Sequence, residues 1–153
     1  MEINPFDDNY FMREALKEAE KAFEKDEVPV GAVIVCDNQI IARAHNFTQT
    51  LNDVTAHAEM QAFTAAADFL GGKYLSECSL YVTLEPCSMC ESAIFQSRIQ
   101  NVFFGAYNEK FRNSLKKICE NYHSSHSKYQ YFGGFKEREN IKILRSYFKN
   151  LRN

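Results

Sequence analysis

The chain has 153 residues, of which 45% are hydrophobic and 25% charged, and its net charge is −2. This composition suits one compact domain over residues 1–153 and excludes disordered, collagen-like and coiled-coil classes. No apolar run approaches the roughly 18 residues that cross a bilayer, and the polar, acidic stretch 1–8 does not read as a secretory signal.

Apolar side chains at Phe11, Ala15, Leu16, Ala19, Ala22 and Phe23 recur at helical spacing and predict a helix over 9–25. A β-branched run over 30–36, a turn at Asp37-Asn38 and a second run over 39–44 predict a hairpin. A polar loop follows over 45–55. Residues 56–70 are alanine-rich and helical, with Gly71-Gly72 as the stop. A third strand is expected over 79–84, ended by Pro86, then a helix over 88–97 and a fourth strand over 101–106. The stretch 108–135 is polar and shows no clear period, and a last helix covers 137–151. Helices alternating with strands after an opening hairpin imply an α/β sandwich built on a mixed sheet.

Charge is distributed unevenly. Residues 1–109 hold 7 Lys/Arg against 17 Asp/Glu, a balance of −10, whereas residues 110–153 hold 11 against 3, a balance of +8. A basic tail on an acidic body points to a polyanionic partner, with a merely solvated charged helix as the plain alternative. Five cysteines, an odd number without a signal segment, argue against a disulfide framework and for a reducing, cytoplasmic setting.

Three potential metal ligands stand out. His57 opens one predicted helix, and Cys87 and Cys90 open the next, three residues apart and so on one face. One histidine and two thiolates make a three-ligand zinc site whose fourth position stays open, which marks catalytic rather than structural zinc. Glu59, two residues after His57, is placed to move protons beside that open position. Taken singly, a lone histidine is more often a satisfied polar residue, and C-x-x-C is also a redox motif or two buried thiols. Together, His-x-Glu at a helix start followed by Pro-Cys-x-x-Cys is the zinc deaminase signature. Cys36 and Cys78 border strands and read as packed; Cys119 has no assigned place, and His45, His123 and His126 lack a ligand-like partner.

At these residues the chain resembles the tRNA-specific adenosine deaminases of the cytidine deaminase-like superfamily. The matching segments are Val28-Pro29-Val30-Gly31-Ala32-Val33, the Asn46 loop, Thr55-Ala56-His57-Ala58-Glu59, the run from Leu80 through Glu85-Pro86-Cys87-Ser88-Met89-Cys90, Ser97-Arg98-Ile99 and Phe104-Gly105-Ala106. The resemblance covers about residues 9–107. It implies a three-layer α/β/α sandwich with a mixed sheet, one Zn²⁺ per subunit on His57, Cys87 and Cys90, Glu59 as proton shuttle, and Asn46 against a flipped-out nucleoside. It further implies a homodimer acting on the wobble adenosine of a tRNA anticodon stem-loop, without a membrane. After Tyr107 the pattern departs: Asn108 stands where the family usually has Asp, near the nucleic-acid backbone, and Glu91-Ser92 replaces the usual Ala-Gly.

In the last helix, Ile141, Leu144, Phe148 and Leu151 share one predicted apolar face, expected to dock on the body. Arg138, Lys142, Arg145, Lys149 and Arg152 form a basic row beside it, with Arg145 and Lys149 as candidate phosphate contacts. Two other functions compete with tRNA deamination. One is a small-molecule deaminase of the same fold, acting on guanine, cytosine or a free nucleoside, which has little use for a +8 tail. The other is a zinc fold that only binds RNA, for which an acid beside an open metal position has no purpose.

Overall fold

The computed structural model describes residues 6–110 and 129–151. Helix α1 (Asp8–Glu24) starts at Asp7, whose carboxylate accepts the Tyr10 backbone N–H at 2.8 Å. Its buried face carries Phe11, Met12, Ala15, Ala19 and Ala22. The chain then forms the hairpin β1 (Gly31–Cys36) and β2 (Gln39–His45). Asp37 and Asn38 turn it with φ of 52° and 61°, the two-residue geometry that follows the right-handed twist of the strands. Next come α2 (Thr48–Leu51), α3 (Ala58–Leu70), β3 (Cys78–Leu84), α4 (Ser88–Ser97), β4 (Asn101–Ala106), β5 (Gln130–Phe132) and α5 (Glu137–Leu151).

The five strands make one mixed sheet in the order β2-β1-β3-β4-β5. β1 is antiparallel to both β2 and β3, while β3, β4 and β5 run parallel. Side chains alternate between the two faces. On one face Ala32, Ile34, Leu80, Val82, Val102 and Phe104 pack with Ala58, Ala62 and Ala66 of α3 and Ile94 of α4. On the other, Val33, Val35 and Tyr81 meet Phe11, Met12 and Ala15 of α1, and α5 lies beside α1 against β4. The result is a three-layer α/β/α sandwich. Tyr81, Phe103 and Phe132 occupy matching positions on β3, β4 and β5 and stack across them, with centroids 4.6 and 5.3 Å apart.

Gly31 fixes how closely α1 approaches the sheet. A Cβ there would lie 2.1 Å from the Ala15 carbonyl oxygen and 2.4 Å from the Ala19 nitrogen, so any side chain would push the helix away. This contact sets the height of β1 at the end where the candidate site begins.

The structure departs from the sequence expectations in three places. The 45–55 loop contains the single-turn α2, too short to show a period in sequence. β5 adds a three-residue edge strand inside the unreadable stretch 108–135. In α5, Phe148 and Leu151 are 44% and 64% exposed, so Ile141, Leu144, Phe148 and Leu151 do not form the docking face. Asn140 and Tyr147 are buried instead, and the Tyr147 hydroxyl donates to the Asp26 carbonyl at 3.4 Å. The helix is rotated about its axis to seat those two polar side chains. At about 100° per residue the row Arg138, Lys142, Arg145 and Lys149 then points roughly 180° away from the body instead of lying at its rim. Cys119, His123, His126 and Arg152 lie outside the described residues. Among the described residues no helix is long and apolar enough to cross a membrane.

Candidate active site

The site forms where the C-terminal ends of β3 and β4, the start of β1 and the N-termini of α3 and α4 converge. His57 and Cys87 are the N-cap residues of α3 and α4, both in extended backbone conformation, and neither uses its side chain to cap its own helix. The imidazole and the thiol are therefore left to face each other. Cys90, one turn into α4, is buried beside them. Both helix ends present the positive pole of their dipoles to this spot, which favours thiolates.

His57, Cys87 and Cys90 bring their ligand atoms within 4.8 Å of one another and form the one such group of three among the described residues. His57 Nδ1 lies 3.6 Å from each of the two sulfurs. Zinc bonded tetrahedrally at about 2.3 Å to sulfur and about 2.0–2.1 Å to nitrogen requires a nitrogen–sulfur separation of about 3.6 Å. The donor set fits that ion in both identity and spacing. A hydrogen bond from Cys90, aided by His57, holds the Cys87 thiol down to about 4. Cys90 is pushed up by the same bond and by burial, and His57 is raised chiefly by its bond to Cys87.

A cavity of about 240 Å³ opens over this group. Its floor is His57, Ala58 and Glu59 with Cys87. Glu59 is 4% exposed and does not belong to the three-ligand group. Burial raises its carboxyl above the ordinary range, against opposing contributions from its own backbone N–H, His57 and the Cys90 thiol.

Two walls flank the floor. One is built from Val28, Val30, Asn46 and Thr48. Asn46 is buried, its N–H donates to the Val30 carbonyl at 3.1 Å, and its Oδ1 accepts the Thr48 N–H at 3.4 Å. The other wall is Leu84, Glu85 and Asn108. Glu85 Oε1 accepts the Asn108 backbone N–H at 2.9 Å and so anchors the backbone of that residue beside the cavity.

Of the residues singled out in sequence, the structure thus gathers His57, Glu59, Cys87, Cys90, Asn46 and Asn108 at one place. Arg145 and Lys149 are not there; with Arg138, Ile141 and Lys142 they line a separate groove on the outward side of α5. Cys36 and Cys78 face each other at the far end of the β1–β3 pair, away from the cavity. Sequence reasoning missed Glu27 and Glu85, buried carboxylates that hold the two walls. The available signal was weak: an acid directly before Val28-Pro29 and another directly before Pro86-Cys87.

Comparison with known proteins places this geometry in context. Residues 6–152 match the MafB19-like deaminase family. A tRNA-specific adenosine deaminase from Aquifex aeolicus is 46% identical over 147 residues, covering 94% of this chain and 95% of its own. A solved structure from work on A-to-I editing by tRNA:A34 deaminases at the wobble position of transfer RNA is 43% identical, with a TM-score of 0.81 over 88% of this chain and 99% of that one. Guanine deaminase from Bacillus subtilis is more distant, at 33% identity and a TM-score of 0.63, covering 82% of this chain and 73% of its own.

Proposed function

We propose, from the premise that the chain belongs to the MafB19-like deaminases and among them to the tRNA-specific adenosine deaminases, that it hydrolytically deaminates adenosine to inosine at the wobble position of a tRNA anticodon loop. One observation carries the proposal: a His-Cys-Cys donor triangle with the spacing of tetrahedral zinc shares a single cavity with the buried acid Glu59. At about 240 Å³ the cavity is smaller than the roughly 300–1,000 Å³ of sites for drug-sized ligands. It suits one base turned out of its stack, which an anticodon loop yields far more readily than a duplex.

His57, Cys87 and Cys90 would hold one zinc per subunit, which, when bound, supplies a Lewis acid that activates water at neutral pH. Glu59 takes the proton that water loses as its oxygen bonds to C6 of adenine. Glu59 returns that proton to N1, so the ring carries no net charge while C6 is tetrahedral. It then moves the hydroxyl proton to the amino group, the C6–N bond breaks, and ammonia leaves inosine behind. Asn46 and Asn108, which both line the cavity, orient the nucleoside so that C6 faces Glu59.

The outward basic row with Arg145 and Lys149 is assigned to the tRNA phosphates. Homodimerisation is supported by a groove beside α3 and α4 in which Met60, Phe63, Tyr74, Met89 and Ala93 are edged by the polar Lys73, Ser92, Gln96 and Ser97. The cytoplasm is the fitting compartment, because the described cysteines are free and ligation needs reduced thiols. The deciding experiment measures inosine formation on an anticodon stem-loop beside ammonia release from free guanine, cytosine and adenosine. Turnover of the stem-loop alone is expected, and turnover of guanine without the stem-loop overturns the assignment.

A further inference from the structure

Resting on the reaction proposed above, we infer that Glu27 is a positioning residue, a fully buried carboxylate outside the cavity that clamps the segment carrying Asn46 and Thr48. Its side chain is 0% exposed. Oε1 accepts the Gln49 N–H at 2.8 Å; Oε2 accepts the Thr50 N–H at 2.8 Å and the Thr50 hydroxyl at 2.7 Å. Both oxygens are thus spent on the same turn of chain. The N-cap residue of α2, Phe47, offers no side-chain acceptor, so the orphan amides of this turn find their acceptor 22 and 23 residues away in sequence.

The clamp has a firm base. The Glu27 N–H donates to the Ala22 carbonyl at 2.9 Å, which ties it to the end of α1. The adjacent Asp26 carbonyl receives the Tyr147 hydroxyl of α5, and the adjacent Val28 already lines the cavity. Burial alone would raise the Glu27 carboxyl, but the bonds from Thr50 and Gln49 hold it below the ordinary value. It therefore stays a carboxylate, able to accept all three bonds, and adds no exposed negative charge where RNA must approach.

The consequence falls on Asn46. Successive amides of the turn are allotted in order: Thr48 to Asn46 Oδ1, then Gln49 and Thr50 to Glu27. Asn46, which lines the cavity, is thereby tied through its Oδ1 to the same turn that Glu27 holds. If Glu27 is removed, the amides of residues 49 and 50 lose their acceptor inside the fold, and the loop must shift to recover one. That shift misplaces Asn46 without touching His57, Glu59, Cys87 or Cys90.

A carboxylate that merely supports the fold would give the same loss in a single mutant, so the test is a double-mutant cycle. Glu27→Ala, Asn46→Ala and the pair are compared by kcat and KM for inosine formation on an anticodon stem-loop, by zinc content, and by amide hydrogen exchange. Glu27→Ala is expected to lower kcat roughly 10- to 100-fold, as a misplaced substrate contact does, at unchanged zinc content. The double mutant should be no slower than Asn46→Ala alone. Exchange at Gln49 and Thr50 should quicken about tenfold while α3 stays protected. Losses that multiply in the double mutant, or unchanged exchange at Gln49 and Thr50, overturn the clamp. Should Glu27→Ala not yield folded protein, Glu27→Gln enters the same cycle; it keeps one acceptor oxygen and turns an NH₂ toward the other amide. Absence of inosine with the wild type would overturn the proposed reaction instead, because the exchange measurement reads the clamp without substrate.

Discussion

Asn140 rests on Gly105 so closely that a Cβ at position 105 would lie 2.0 Å from Asn140 Nδ2 and 2.6 Å from the Thr83 carbonyl oxygen. The Asn140 Nδ2 in turn donates to the Phe135 carbonyl at 3.1 Å. This contact seats α5 on β4, and one of the two atoms in the way is backbone and has nowhere to go. Gly105→Ala is expected to lower stability by about 1–3 kcal/mol, the usual range for overpacking, and to tilt the basic row of α5 away from its place. Thermal unfolding reads the first effect and KM for the tRNA stem-loop the second. An unchanged melting temperature would mean that α5 is seated by Tyr147 alone.

Metal content is checked directly. The purified chain should carry about one zinc per subunit, because the described residues offer one His-Cys-Cys group. Cys87→Ser and Cys90→Ser should lose it, and a chelator should abolish activity that returns on adding zinc. Full zinc occupancy in Cys87→Ser, measured by elemental analysis, would show that the ligands lie elsewhere.

Much of this arrangement could be read before any coordinates, and the reasons differ by element. Helical period marks α1 because it buries one face, and short apolar, β-branched runs mark the central strands because the sheet is covered on both faces. His57, Glu59, Cys87 and Cys90 are legible because metal chemistry tolerates few residue types, at spacings fixed by helix starts. Glu27 and Glu85 are not, since an acid in sequence looks like surface charge until its partners, about twenty residues off, are known. The orientation of α5 differs from the one its apolar period predicts, for a related reason. Four apolar side chains outvote one asparagine and one tyrosine in any periodicity count. Yet the notch at Gly105 and the Asp26 carbonyl decide which side turns inward.

Glu59→Ala should fold and keep zinc, because Glu59 is not among the three clustered donors. Turnover should fall by about 100- to 10,000-fold, the usual worth of a positioned acid–base group. KM should change little by comparison, so the loss appears in kcat. Activity within a few-fold of wild type would remove Glu59 from proton transfer and leave it as a buried lining group.

Asn108 concerns the choice of sugar. It lines the cavity and is held through its backbone by Glu85. A carboxylate there would repel phosphate and offer an acceptor to a ribose hydroxyl; the amide repels nothing. The wild type should therefore tolerate a deoxy stem-loop better than Asn108→Asp does. The measurement compares kcat/KM on an RNA loop and its DNA twin for both proteins, and an identical ratio in the two would exclude position 108 from sugar discrimination.

The outward row on α5 gives a prediction that turns on salt. Arg138, Lys142, Arg145 and Lys149 are exposed and line one groove with Ile141. Because the row faces away from the body, it cannot serve the fold through burial, and exposed charges contribute little to stability. If it meets the tRNA backbone, each lost contact removes close to one unit from the slope of log affinity against log salt. Changing Arg145 and Lys149 together to Gln should therefore raise KM for tRNA and flatten that slope by roughly two units, at unchanged zinc content and melting temperature. The single-base cavity is untouched by these changes, so kcat at saturating tRNA should hold. An unaltered slope with normal turnover would mean that the row only solvates the helix.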